Sequence, residues 1–246
     1  MIEPAVLDVT VPRVDVLDWA DRYGLVAGIT TREHDFSLGL WTEEPVGQVM
    51  GRWRTFRTAF ARRFPAVILS HQVHGSSVAW HEQVPPGWLV LDGHDGHATA
   101  DQGVLLTITV ADCIPVYLAV PGRAVALVHA GWRGVASGIL KTAAQLLAER
   151  SATPISEIVT HCGIGICGKC YEVGSEVASQ LTGQPVQGQS NVDLRALLAA
   201  QASDIGIRQV TISAGCSSHE HERFFSHRAS GGRDGRMVAY LGMPIG

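Results

Sequence analysis

Apolar positions along the chain follow two periods. In the centre, Val104–Val110, Val116–Val120 and Ala124–Val128 are short runs rich in Val, Ile, Leu and Ala, with Pro121-Gly122 between the second and third. Short apolar runs bounded by turn residues predict strands. Past His129-Ala130-Gly131-Trp132-Arg133-Gly134 the period changes. Val135, Ile139, Leu140, Ala143, Leu146 and Leu147 recur at the spacing of one helical stripe. Upstream, Leu25–Thr30 reads as a strand, and Val46–Arg63 as a helix that must stop before Pro65. Ala66–Ser70 is a further strand, leading into His71-Gln72-Val73-His74-Gly75. Downstream, Ile158–Cys162, Val210–Ala214 and Arg236–Leu241 read as strands, and Gly174–Leu181 and Asp193–Ser203 as helices. Strands and helices mixed throughout, with no repeat and no long linker, predict an α+β sandwich in a single domain over residues 1–246.

Composition narrows the functional classes. The chain has 246 residues, 46% of them hydrophobic, enough for a sizeable core. With 19 Lys+Arg against 23 Asp+Glu the net charge is −4, which argues against a polyanion-binding surface. Arg52, Arg54, Arg57, Arg62 and Arg63 form a basic stretch but no aromatic-basic stripe continues it, so it reads as the solvated face of a helix and no nucleic-acid partner is expected. Met1–Thr10 contains Glu3, Pro4 and Asp8 and lacks the basic start and apolar centre of a signal peptide. The most apolar stretch, Gly103–Val120, carries Asp112 and Pro115, so it predicts buried strands and no membrane span. Five cysteines, an odd number, fit a reduced cytoplasmic protein and direct attention to metal binding or chemistry.

Three element boundaries each offer a metal-capable residue: His74, Cys113 and His129, separated by 39 and 16 residues. Such spacing is unlike a compact zinc finger. Three donors from separate strand ends would leave the fourth position that a catalytic zinc needs, and a mixed Cys/His set suits zinc better than magnesium or calcium. On the residues alone, hydrogen-bonded structural histidines and a small buried thiol are the more common reading of these three positions. Arg133 and Arg228 are candidates for phosphate capture, or surface ion pairs; Arg236 could simply start a strand. Asp112 could orient a neighbouring ligand, act as a base or stabilise a turn. Cys162, Cys167 and Cys170 have C-x4-C-x2-C spacing with Cys216 as a possible fourth, an iron–sulfur-like pattern; the intervening Gly163, Gly165 and Gly168 favour buried free thiols in a tight loop. His219-Glu220-His221 lies in a polar run and reads as solvated loop.

The stretches Gln72-Val73-His74-Gly75, Ala111-Asp112-Cys113-Ile114-Pro115, His129-Ala130-Gly131-Trp132-Arg133-Gly134, Cys170-Tyr171-Glu172-Val173-Gly174 and Phe225-Ser226-His227-Arg228, in this order, resemble the YfiH-like laccase-domain family. The resemblance implies zinc held by His74, Cys113 and His129, and a four-layer α/β/β/α sandwich with mixed sheets. It implies small-molecule substrates, a purine nucleoside and phosphate: phosphorolysis of adenosine, inosine, guanosine and methylthioadenosine, and hydrolytic deamination of adenosine. Lys169 stands where the family often has a second Cys before Cys170. The acid/base Glu that zinc deaminases carry in a His-x-Glu motif is absent next to His74. A multicopper oxidase needs several His-x-His pairs, whereas this chain has one, and Cys113 is followed by Ile114 and Pro115 rather than by ligands. Two rival functions stay open: a zinc hydrolase editing peptidoglycan precursors by amide cleavage, with Cys113 as nucleophile and His129 as base as a variant, and a non-catalytic zinc-stabilised binding module.

Overall fold

The computed structural model describes Met1, Glu3 and residues 10–246; most of the N-terminal run inspected for a signal peptide lies outside the described residues. In chain order the elements are β1 (Arg13–Asp15), α1 (Leu17–Tyr23), β2 (Val26–Thr30), α2 (Val46–Phe60), β3 (Ala66–His71), β4 (Val78–His81), β5 (Gly87–Asp92), β6 (Gly96–Thr99), β7 (Val104–Val110), β8 (Ile114–Val120) and β9 (Ala124–Ala130). They continue with α3 (Trp132–Ala136), α4 (Ile139–Ser151), β10 (Val159–Cys162), β11 (Glu172–Val173), α5 (Ser175–Thr182), β12 (Ser190–Asn191), α6 (Leu194–Asp204), β13 (Gln209–Ile212) and β14 (Met237–Gly242).

Two six-stranded sheets form, in the orders β1-β2-β14-β7-β3-β5 and β13-β10-β8-β9-β6-β4. Both are mixed: β3 runs parallel to β5 and β7 while β14 is antiparallel to β7, and β10 is parallel to β13 but antiparallel to β8. Three apolar layers hold four structural layers together. Along β14, Met237, Ala239 and Leu241 face the second sheet, whereas Val238 and Tyr240 face α2. Along β9, Val125 and Leu127 face the first sheet, and Ala124, Ala126 and Val128 face α4 and α6. The strands read as continuous apolar runs because both their faces are covered. On the outer side α2 presents Val49, Trp53, Phe56 and Phe60 at helical spacing, and the Trp53 indole N–H donates to the Leu38 carbonyl at 2.9 Å. The expected α+β sandwich with helices outside two mixed sheets is what forms.

Some expected elements differ in detail. The single helix read after His129 is two, α3 and α4, broken at Gly138, whose φ of +76° is left-handed. The helix at 46 ends at Phe60, three residues early. Strands β4, β5 and β6 were not anticipated. β5 lies at a sheet edge and keeps Leu89 and Val90 partly exposed, so its sequence carries no clean alternation. β6 is Gly-His-Ala-Thr, fully buried, with small and polar residues in a tight place: a Cβ on Gly96 would sit 2.5 Å from Val128. No helix among the described residues is long and apolar enough to cross a membrane.

Candidate active site

At one end of the sandwich the two sheets meet at β3, β7, β8 and β9. His74 lies three residues past β3, Cys113 in the turn from β7 to β8, and His129 near the end of β9. In β9 side chains alternate, so His129 shares the inward face of Val125 and Leu127 and points between the sheets. The Gln72 amide clamps the end of β3 to β7: its Oε1 accepts from the Thr109 amide at 2.7 Å and its Nε2 donates to the Thr109 carbonyl at 2.8 Å. Two of the non-glycine residues with left-handed backbone lie at the site, His74 with φ 61° and Asp112 with φ 83°. Each costs about 1–3 kcal/mol and persists only where the surroundings enforce it. For His74 the enforcement is Asp95, fully buried, whose carboxylate accepts from the consecutive amides of Val73, His74 and Gly75 at 3.2, 2.9 and 2.7 Å.

The trio converges. One donor atom each from His74, Cys113 and His129 lies within 4.8 Å of the others, and the two imidazole rings stand 4.8 Å apart at 79°. Asp95 also accepts from Nδ1 of His129 at 2.8 Å. A carboxylate there keeps the proton on Nδ1 and frees Nε2 as a metal donor, the arrangement that orients zinc-binding histidines. Gly131 closes the cradle: a Cβ there would come 3.0 Å from Sγ of Cys113 and 3.3 Å from the His74 ring. Burial pushes the Cys113 thiol up, but His129 and His74 beside it prevail and hold it down to about 6. Burial likewise opposes charge on His129, yet the Cys113 thiolate and Asp95 push its imidazole up to about 9. Both shifts run in the direction of a thiolate beside an imidazolium, and a thiolate with two oriented imidazoles is the donor chemistry that suits a borderline-soft divalent ion.

These residues floor a cavity of about 490 Å³. Arg133 and Arg228 stand on its rim, exposed and, among the described residues, with no carboxylate partner. Each lies over an aromatic ring instead, Arg133 over Trp132 at 4.4 Å and Arg228 over Tyr171 at 5.4 Å. Arg236 lines the wall but spends its guanidinium on the Asp234 and Gly235 carbonyls. Asp112 is buried and fully engaged. Oδ1 accepts from the Ser217 and Ser226 hydroxyls, both at 2.7 Å, and Oδ2 from the Arg228 amide at 2.6 Å. These bonds tie the Arg228 segment to the turn between β7 and β8. The sequence reading missed Asp95, and it missed Trp41, which stacks on His71 at 4.7 Å at the mouth. A buried acid in His94-Asp95-Gly96 was the available signal, since any ligand histidine needs a partner for its second nitrogen.

The other cysteines regroup. Cys162 is buried among apolar residues of α4 and α6, its thiol pushed by burial up to about 12, so the C-x4-C-x2-C pattern does not assemble. Cys167 and Cys170 are half-buried rather than buried, and with Cys216 and His219 they form a second donor group within 4.8 Å. His219 was expected to be merely solvated; it is exposed, but its Nδ1 lies 3.5 Å from Sγ of Cys167.

A mixed four-layer sandwich with a three-donor Cys/His centre under an arginine-rimmed cavity defines the class. The family described as multi-copper polyphenol oxidoreductase laccase matches residues 25–244, and the chain belongs to it. It is 36% identical over 182 residues to a purine nucleoside phosphorylase of Deinococcus radiodurans, covering 71% of this chain and 69% of that one. It is 32% identical over 247 residues to purine nucleoside phosphorylase YlmD of Geobacillus stearothermophilus, covering 89% and 90%. The crystal structure of YlmD from that organism superposes with a TM-score of 0.86 over 98% of both chains at 28% identity. Adenosine deaminase RL5, from an unknown prokaryotic organism, is 35% identical over 161 residues, 59% of this chain and 61% of that protein.

Proposed function

We propose that this protein is a zinc-dependent purine nucleoside enzyme that phosphorolyses adenosine, inosine, guanosine and methylthioadenosine and deaminates adenosine hydrolytically. The observation that carries the proposal is that a Cys/His trio and two arginines, without carboxylate partners among the described residues, face one cavity. The names of the relatives support the substrate class. His74, Cys113 and His129 would hold the zinc, which when bound supplies Lewis acidity and an activated oxygen nucleophile at neutral pH.

The chain's own residues do the rest. Asp95 holds the proton on His129 Nδ1 and fixes the ring. Trp41, Trp132 and Tyr171 offer aromatic faces to a purine. In phosphorolysis a phosphate oxygen bonds to C1′ as the bond from C1′ to the base nitrogen breaks, giving free base and ribose 1-phosphate. Arg133 and Arg228 would neutralise that phosphate, because a planar guanidinium matches its oxygens. Asp112 keeps Arg228 in place by accepting its backbone amide. Deamination needs no phosphate, since water replaces the amine at C6 with release of ammonia.

Zinc is favoured over copper because the chain has a single His-x-His pair and no ligand adjoining Cys113 on its C-terminal side. A non-catalytic zinc module would close its shell with a fourth protein donor; among the described residues no further His, Cys, Asp or Glu joins the trio. Five unpaired thiols support a reducing, cytoplasmic setting. The test is product chromatography with adenosine. Adenine and ribose 1-phosphate are expected only with phosphate, inosine with or without it, and neither from Cys113→Ser. Absence of purine turnover together with amino-acid release from a muramyl precursor would replace this reading with the editing hydrolase.

A further inference from the structure

The loop at 166–171 and the turn at 216–219 gather donors that the proposed reaction does not use. One atom each from Cys167, Cys170, Cys216 and His219 lies within 4.8 Å of the others. They come as two pairs, Cys167 with Cys170 and Cys216 with His219, each pair separated by two residues. Closely spaced pairs that supply four Cys/His donors are the pattern of structural zinc sites.

Both pairs sit on tight turns that are already tied together. The amides of Cys170 and Tyr171 donate to the Cys167 carbonyl at 3.0 and 3.1 Å, and the Glu220 amide donates to the Cys216 carbonyl at 2.9 Å. Gly165 and Cys216 form an isolated parallel bridge, and the Ser217 amide donates to the Gly165 carbonyl at 3.1 Å. Two amides point at one sulfur: Cys167 N–H and His219 N–H lie 3.3 and 3.5 Å from Sγ of Cys216. Backbone N–H groups aimed at a sulfur are the hydrogen bonds that a metal-bound cysteine accepts. A disulfide accounts for two of these cysteines and leaves the third thiol and the imidazole facing it unexplained.

We propose that Cys167, Cys170, Cys216 and His219 form a second metal site, a closed Cys3His shell for a structural zinc ion. Each thiol gives up its proton on binding. The resulting shell carries one net negative charge. With four protein donors no position remains for substrate, so this ion acts on the fold. It fastens the loop bearing Ile166 and Tyr171, both on the cavity wall, to the turn whose Ser217 hydrogen-bonds Asp112. One wall of the cavity is thereby fixed by a metal that takes no part in turnover.

The test uses the reduced, metal-free Cys113→Ser protein, in which the first site is disabled, so its result does not depend on the catalytic proposal. Cobalt titration should show one equivalent bound, with tetrahedral ligand-field bands and thiolate-to-cobalt charge transfer, and stoichiometric displacement by zinc. X-ray absorption of the zinc form should give a shell of three sulfurs and one nitrogen. Adding Cys167→Ser or His219→Ala should remove the equivalent or its tetrahedral spectrum; adding Cys162→Ser, whose thiol lies elsewhere, should change nothing. If Cys113→Ser does not fold, wild type serves: with both sites filled it should bind two equivalents, and the Cys167→Ser, Cys170→Ser double variant one. No cobalt uptake by folded Cys113→Ser overturns the proposal. So does iron with acid-labile sulfide in protein purified without oxygen, or a disulfide among these cysteines that persists under reducing conditions.

Discussion

The two donor clusters of this protein use similar residue types in opposite ways. His74, Cys113 and His129 are drawn from three distant segments and converge where two sheets meet, over a cavity. Cys167, Cys170, Cys216 and His219 lie on two short turns, close in sequence within each pair, with the shell filled by protein. The first cluster is held from behind by a buried carboxylate and two strained backbone positions. The second is held by backbone hydrogen bonds among loops. The difference teaches how to read such groups: donors that stop at three leave a coordination position open, the arrangement that metal-assisted chemistry needs. Donors carried as close pairs on two turns, and that reach four once the fold brings the turns together, suit a closed structural shell.

Asp95 offers the strongest way to break the comparison, because only the first cluster leans on it. Asp95→Asn leaves one acceptor oxygen where a carboxylate now serves three amides and His129. The metal affinity of the first site should fall roughly 10–100-fold in a competitive chelator titration, with that of the second unchanged. Equal losses at both sites would mean that the clusters are not independent. The rim arginines give a smaller effect. Arg133→Ala or Arg228→Ala should lower phosphorolytic kcat/KM about tenfold, near the lower end for loss of a charge-assisted hydrogen bond at an exposed group, and should leave deamination much less affected. Equal damage to both routes would remove phosphate binding as their role.

The smallest effect is a shift in pH dependence. The Cys113 thiol is held down to about 6 and the Cys162 thiol pushed up to about 12. Because the first shift is downward, the Cys113 thiolate persists at neutral pH and is lost only as pH falls through about 6. Iodoacetamide labelling of metal-free protein, followed by peptide mapping, should therefore show Cys113 modification with a midpoint near pH 6 and zinc protection. Cys162 should stay unlabelled across the neutral range. A Cys113 midpoint near 9 would show that the histidines do not stabilise its thiolate.

The sequence by itself determined the α+β sandwich class and most central strands. β7 appears where the apolar run predicts it, and β8 and β9 extend beyond theirs by two residues each. Burial on both faces makes such runs unmistakable, and the stripe after His129 likewise announces α4. The positions of His74, Cys113 and His129 were legible as element boundaries, and the family motifs pointed to them together. Only the tertiary structure decided what surrounds them. Asp95 reaches the site because its carboxylate captures three amides of a turn some twenty residues earlier and an imidazole thirty-four residues later, contacts that no local period encodes. The same holds for Asp112. Next to a ligand it reads as a potential base, but its oxygens are taken by Ser217, Ser226 and Arg228, more than a hundred residues away. The cysteines make the point most sharply. Sequence spacing grouped Cys162 with Cys167 and Cys170, with Cys216 as a possible fourth, yet Cys162 packs in the apolar layer with residues of α4 and α6, and His219 joins the other three in its place. Local pattern sets which face a residue takes within its own element; which elements then share an edge depends on how the two sheets stack, and that is settled only when the whole core packs.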